Sequence, residues 1–325
     1  MNTIVIKDRK TWVDALRALA IILVVLGHQM RGVSEFFIFT SPVKMPLFFA
    51  ISGYLFKMRD GDSKTFFRNW FLKLIIPWFC LALMSFLPKL FMGESLMGYI
   101  GDLISGKVLW FMPCFVIAEV IHFYARKIAS KDIVLACICI FLTVLGLFLH
   151  YLGVLNYAMV NRALSVQFFF FIGYLFKQNE KSLIGLSWTV ISMGGLTYLV
   201  LIFLSLYLYP KTSIDVHFCR YYNYPLCFAL ILLGIIVLFI AAAKSNIRNR
   251  LLSIIGQNTL VLYIWHGGVI WVLKYFMAYF NIIIPSVWVG ALIKTSWAVL
   301  ICNVLANYLN KYVPELVGRT RKARL

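Results

Sequence analysis

In the stretch RALAIILVVLGHQMR, residues 17–31, an apolar run opens with Arg17 and carries His28 eleven residues later. A helix turns about 100° and rises about 1.5 Å per residue, so the two differ by about 20° in direction and about 16 Å in height. Asp14 falls about 40° to the other side of the same stripe. A neutral imidazole takes a proton from a hydroxyl near neutral pH, or attacks a carbonyl carbon itself. A guanidinium grips phosphate or carboxylate in a planar fork. Ionisable groups on one stripe of an apolar helix face a bundle interior or a wet cavity, because lipid exposure costs several kcal/mol. The stripe therefore reads as one wall of a path through a membrane. Plainer readings stand beside it: Asp14 and Arg17 pair at i,i+3 and anchor the helix at the headgroups, and His28 is an interfacial histidine.

The elements that hold this stripe follow from composition. Of 325 residues 62% are hydrophobic and 13% charged, and mean hydropathy is +0.88, far above a soluble domain's roughly 45–50% apolar content. A hydrocarbon core of about 30 Å needs about 20 apolar residues per helical crossing. Ten such runs stand between charged breaks, about 12–31, 43–56, 70–92, 108–125, 133–151, 163–176, 183–209, 223–243, 257–280 and 286–310. The second is short and opens Pro42–Val43–Lys44–Met45–Pro46, which predicts an irregular start. The expectation is an all-α integral membrane protein of about ten transmembrane helices.

The formal charge of +19 invites a nucleic-acid reading, but its distribution opposes it. With the N-terminus inside, twenty-one of the 31 Lys and Arg fall on inner segments and nine on outer ones, Arg17 apart. That is the positive-inside pattern, and it places both termini in the cytoplasm. Asp14 and Arg17 interrupt the first run, which predicts a retained helix rather than a signal peptide. The seven cysteines show no metal-ligand spacing and read as small apolar residues, with Cys219 and Cys227 near the outer face where a bridge is permitted.

Other polar residues interrupt apolar runs. His266 falls near mid-membrane, as a site residue or as a donor to a carbonyl. Glu119 and His122 lie one turn apart in the fourth run, as a structural or proton-linked pair. Arg162 stands at the outer mouth of NRALSVQFFFF, to meet a ligand or cap the interface. Ser52 in S-G-Y marks a close-packing motif as readily as a nucleophile. His150 and His217 read as solvated outer residues.

The segments RKTWVDALRALAIILVVLGH and MPLFFAISGYLF, with LWFMPCF, FFFFIGYLF and IGQNTLVLYIWH in that order, resemble the membrane acyltransferase family 3 proteins, multi-spanning O-acyltransferases of bacterial surface glycans. The resemblance spans about residues 9–270. Two positions depart from the family's pattern. Its R-x-x-R pair before the third-helix proline falls here on Trp70 and Lys73 in RNWFLKLIIP, with Arg68 displaced. Its His-Met-Pro is here Lys44–Met45–Pro46.

The resemblance implies a single transmembrane acyltransferase domain over residues 1–325, with a short basic tail at about 311–325 and no SGNH-type hydrolase domain, in the bacterial cytoplasmic membrane. It implies a cytoplasmic acyl-CoA donor, most often acetyl-CoA, and an acceptor hydroxyl on a surface polysaccharide, lipopolysaccharide or lipid-linked sugar. The donor's phosphates would meet Arg17 and the basic inner face from Lys57 through Arg68 to Lys73, with Trp110 also toward the donor. His28 acts as general base or acyl carrier, Asp14 and Arg17 share its stripe, and Ser52, Tyr54, Trp110 or His266 supply oxyanion donors. No metal or permanently bound cofactor is expected. A secondary transporter or an export protein without chemistry is the competing class, though no paired broken helices in two repeated halves appear.

Overall fold

Without water to satisfy backbone N–H and C=O groups, an apolar segment in lipid must close its hydrogen bonds within itself, and helices do so. The computed structural model describes residues 9–30, 32–56, 63–90, 93–210 and 212–319. Its helices are α1 (Thr11–Gln29), α2 (Ser34–Lys44), α3 (Pro46–Leu55), α4 (Ser63–Trp70), α5 (Ile76–Leu90), α6 (Leu96–Ser105), α7 (Phe111–Ile128) and α8 (Asp132–Tyr151). After these come α9 (Val160–Ser165), α10 (Gln167–Gln178), α11 (Glu180–Gly185), α12 (Trp188–Leu208), α13 (Tyr224–Ser245), α14 (Arg250–Gln257), α15 (Thr259–Tyr279) and α16 (Val287–Tyr312). Among the described residues there is no strand, and the chain is an all-α membrane protein.

Among the described residues eight helices are long and apolar enough to cross a bilayer, and the pair Tyr157–Ser165 and Gln167–Gln178, bent by 47°, makes a ninth if it is counted as one span. The one predicted run still unmatched, the fourth at about 108–125, corresponds to α7, whose Glu119, Arg126 and Lys127 set it apart from the purely apolar helices. The second run is longer than predicted. Helices α2 and α3 meet at Met45 and together form an apolar helical span over Glu35–Leu55. Pro42 lies inside α2 and Pro46 begins α3. Proline offers no N–H to the preceding turn, so the axis breaks here while the chain remains helical.

Helix α3 packs along α10, and α1 along α14, α16 and α13. Lipid tails are as apolar as leucine, so helices associate here through close contact, which small residues permit. A Cβ at Gly53 would stand 1.8 Å from the Phe170 carbonyl oxygen, and one at Gly173 only 1.7 Å from that of Ala50. The two glycines thus let the α3 and α10 backbones touch reciprocally, which assigns the S-G-Y and I-G-Y stretches to packing. A Cβ at Gly256 of α14 would likewise stand 1.9 Å from the carbonyl oxygen of Asp14, fixing the inner end of α1.

Gly173→Leu must force these backbones apart, at a cost above the roughly 1–3 kcal/mol of ordinary overpacking. The expected outcome is loss of the monodisperse peak in detergent size-exclusion chromatography. Gly101→Ala, where an added Cβ meets nothing within 4 Å, keeps it.

Candidate active site

Helix α1 carries Arg17 and His28 on one stripe, and each opens into a different cavity. The inner one, about 750 Å³, is lined by Arg17, Ser52, Lys73, Phe115 and Glu119 among others. The outer one, about 780 Å³, is lined by His28, Lys44, Trp110, His217, Tyr263 and His266 among others. Over the eleven residues from Arg17 to His28 the helix rises about 16 Å.

At the inner end, Arg9 grips the buried Asp14 carboxylate through Nε at 2.7 Å and a terminal nitrogen at 2.9 Å. Arg17 lies 4.0 Å from Asp14 Oδ1, the oxygen that accepts from the Arg9 terminal nitrogen. Asp14 is therefore committed to positioning the two arginines and does not line either cavity. Glu119 faces the same inner cavity as Arg17. His122 is buried away from it, with its ring against Phe56 and Phe170, so the expected Glu119–His122 pair is divided.

Between α4 and α5 the chain runs as a π-helix over Phe71–Ile75. The wider i→i+5 turn lets side chains spaced by four stay longer on one face. Thr65, Asn69 and Lys73 all line the inner cavity, with Trp70 beside them, and the Trp70 indole donates to the Val116 carbonyl at 3.2 Å. Arg68 is exposed and does not line the cavity, so Trp70 and Lys73 hold the places expected of the basic pair. Lys57 lies outside the described residues.

The outer cavity holds the histidines. The His28 and His266 rings stack at 5.1 Å with planes 24° apart. His28 is exposed to the cavity and His266 is buried. The His266 Nδ1 lies 2.8 Å from the Leu262 carbonyl oxygen and 3.0 Å from that of Tyr263. Carbonyls only accept, so Nδ1 carries the hydrogen, and Nε2 of the neutral ring holds the free lone pair.

Trp110, expected toward the donor and among the oxyanion donors, lines this cavity, its indole stacked on His217 at 4.6 Å and 14°. Ser52 lines the inner cavity, not the outer one. Tyr54 lines neither: its hydroxyl accepts from Lys10 and donates to Glu180 at 3.0 Å, in a cluster tying α1, α3 and α11 together. Arg162 is buried, donating to Asn156, to Asn161 at 2.9 Å and to the His217 carbonyl at 3.0 Å. It fixes the loop that carries His217 rather than the cavity wall. All seven cysteines, Cys219 and Cys227 included, are free thiols.

His217 is the residue that hydropathy reading missed. Leu109, another residue lining the cavity, adopts a left-handed φ of 53°, a conformation costing about 1–2 kcal/mol outside glycine. It turns the chain into α7 so that Trp110 meets the 213–218 loop. Burial holds the His217 imidazole below its ordinary pKa, Asp215 opposes the shift and Arg162 adds to it, so the stacked ring is neutral at pH 7.

One buried ring touches residues of both cavities. Phe111, buried, lies 5.4 Å from the Tyr263 ring of the outer cavity and 5.2 Å from the Phe115 ring of the inner one. Its backbone N–H donates to the Tyr263 hydroxyl at 3.2 Å.

A family model described as an acyltransferase domain matches residues 10–307. The chain belongs to membrane acyltransferase family 3. No curated protein and no solved structure matches it.

Proposed function

We propose that the protein is an O-acyltransferase of the bacterial cytoplasmic membrane that moves an acyl group, acetyl in the first instance, from cytoplasmic acyl-CoA to a sugar hydroxyl of a surface glycan or lipid-linked intermediate. The observation that carries this reading is the pairing of two cavities on α1, Arg17 in one and His28 in the other. Both termini lie in the cytoplasm, and α7 and the bent α9–α10 pair complete ten crossings.

Arg17 and Lys73 bind the donor's phosphates at the inner mouth by charge-assisted hydrogen bonds. The uncharged pantetheine arm reaches toward His28 past the Phe111 ring. The outer cavity, with aromatic walls and convergent polar and charged side chains, has the features of a small-molecule site, and Trp110 and Trp271 offer faces to a sugar. His28 takes the proton from the acceptor hydroxyl as that oxygen attacks the thioester carbonyl. The tetrahedral intermediate expels the CoA thiolate, which takes the proton from His28. An ester and free CoA result. His266, neutral and held by two carbonyls, keeps the His28 ring in place by stacking. Membership of an acyltransferase family favours this chemistry over transport or export alone.

The topology predicts that Ser213→Cys is labelled by an impermeant maleimide from outside intact cells, while Arg248→Cys is labelled only after permeabilisation. The reverse pattern overturns the orientation.

Lys73→Gln is expected to weaken acetyl-CoA binding by about 10- to 150-fold, the loss of a charged phosphate contact. Arg68→Gln, outside the cavity lining, changes it by less than about threefold. Equal losses in the two variants return Lys73 to an interfacial role.

His28→Ala removes a proton acceptor whose loss costs about 10²- to 10⁴-fold in rate, with donor affinity kept. Transfer of radiolabelled acetyl to glycan checks this, and a residual rate above about a tenth of wild type excludes an acid–base role for His28. Label trapped on wild-type protein without acceptor, and absent from the alanine variant, selects the acetyl-histidine route over the general base.

A further inference from the structure

Lys44 stands where the resemblance puts a histidine in some family members, and no step above uses it. It belongs to the apolar span Glu35–Leu55, where a charged side chain is expensive unless it faces a wet cavity or a partner. Lys44 is half-buried and lines the outer cavity beside His28 and His266. Its ammonium lies 4.4 Å from the centre of the Phe37 ring and 3.5 Å from where a Cβ on Gly27 would stand. The charge is thus held against the residue preceding His28.

The cavity does not neutralise it. Its lining holds two lysines, Lys44 and Lys274, and one carboxylate, Asp215. Asp215 is already engaged, its Oδ1 accepting from the backbone N–H of His217 at 2.9 Å and of Phe218 at 3.2 Å. Among the described residues neither lysine forms an ion pair. Two lysines against one carboxylate leave the cavity a surplus positive charge, and one of the two cations is fixed next to the reacting imidazole.

We propose that Lys44 makes the outer cavity selective for an anionic acceptor, a sugar carrying a carboxylate or a phosphate close to the hydroxyl that is acylated. The inference rests on the outer cavity being the acceptor site. A carboxylate would come from a uronic-type sugar, a phosphate from a sugar linked to a lipid carrier. Either places negative charge against Lys44 and leaves a neighbouring hydroxyl within reach of His28. An ammonium is a point charge rather than a planar fork, so it sets the charge of the ligand more than its shape.

Binding of three small sugars to the purified full-length protein, without donor, tests this by isothermal titration calorimetry: methyl glucoside, methyl glucuronide and glucose 1-phosphate. Wild type is expected to bind at least one of the anions about tenfold or more tighter than methyl glucoside. Preference for the glucuronide identifies a uronic-type acceptor, and preference for the phosphate a lipid-linked one. Lys44→Gln is expected to bring the three sugars within about twofold of one another, and Lys44→Arg, which keeps the charge, to retain the preference.

An equal or undetectable affinity of wild type for all three overturns the inference, and needs no variant. So does a preference that survives in Lys44→Gln. Because these measurements involve no acyl transfer, a wrong transferase reading shows separately, as no acetyl transfer to any acceptor by a protein that still discriminates the sugars.

Discussion

The architecture depends on backbone touching backbone. In water, helices are driven together by the apolar surface they hide; in lipid that drive is absent, and association falls to close packing and polar contacts. The reciprocal contact of Gly53 with Phe170 and of Gly173 with Ala50 holds α3 against α10. The contact of Gly256 with the Asp14 carbonyl holds α14 against α1. Everything polar in the interior hangs on these contacts, because they fix where α1 stands, and α1 presents both Arg17 and His28.

Once α1 is fixed, the polar groups sort by whether a partner is within reach. Asp14 is buried and committed to Arg9 and Arg17, Arg162 to two asparagines and a carbonyl, and Tyr54 to Lys10 and Glu180. Arg162 and Tyr54 stitch elements distant in sequence, Asp14 ties together the start of α1, and each has little capacity left for a ligand. Those that open into cavities, Arg17, Lys73 and Glu119 on one side and His28, Lys44 and His217 on the other, keep atoms that a bound molecule can meet. Burial of a polar group is costly unless it is bonded, and the interior therefore divides into committed and available polar residues.

Much of this is legible in the chain itself. The spans follow from hydropathy, and the common stripe of Arg17 and His28 from a spacing of eleven residues, because both depend only on local helical geometry. The packing role of S-G-Y was one of two readings, and the matching I-G-Y could have decided it. What could not be read depends on contacts between distant segments. Lys73 rather than Arg68 reaches the inner cavity because α4 passes into a π-helical turn, which no spacing rule foretells. His217 joins the site because Leu109 turns left-handed and Arg162 holds the His217 carbonyl. Tyr54 is drawn off by Glu180, 126 residues away. Trp110 stands at the outer end of α7, so the same helix that offers Glu119 to one cavity offers an indole to the other.

The Phe111 ring also has an electrical meaning. Two wet vestibules reaching toward each other from opposite faces act as conductors, so the membrane voltage drops mainly across the thin aromatic layer between them. There each elementary charge meets about 2.3 kcal/mol per 100 mV. A neutral arm crosses such a layer with no electrical work, whereas a phosphate group would meet the whole field. For the proposed reaction the rings around Phe111 would serve as a dielectric plug, keeping the charged part of a ligand on the side from which it arrived and keeping ion gradients from draining through the protein.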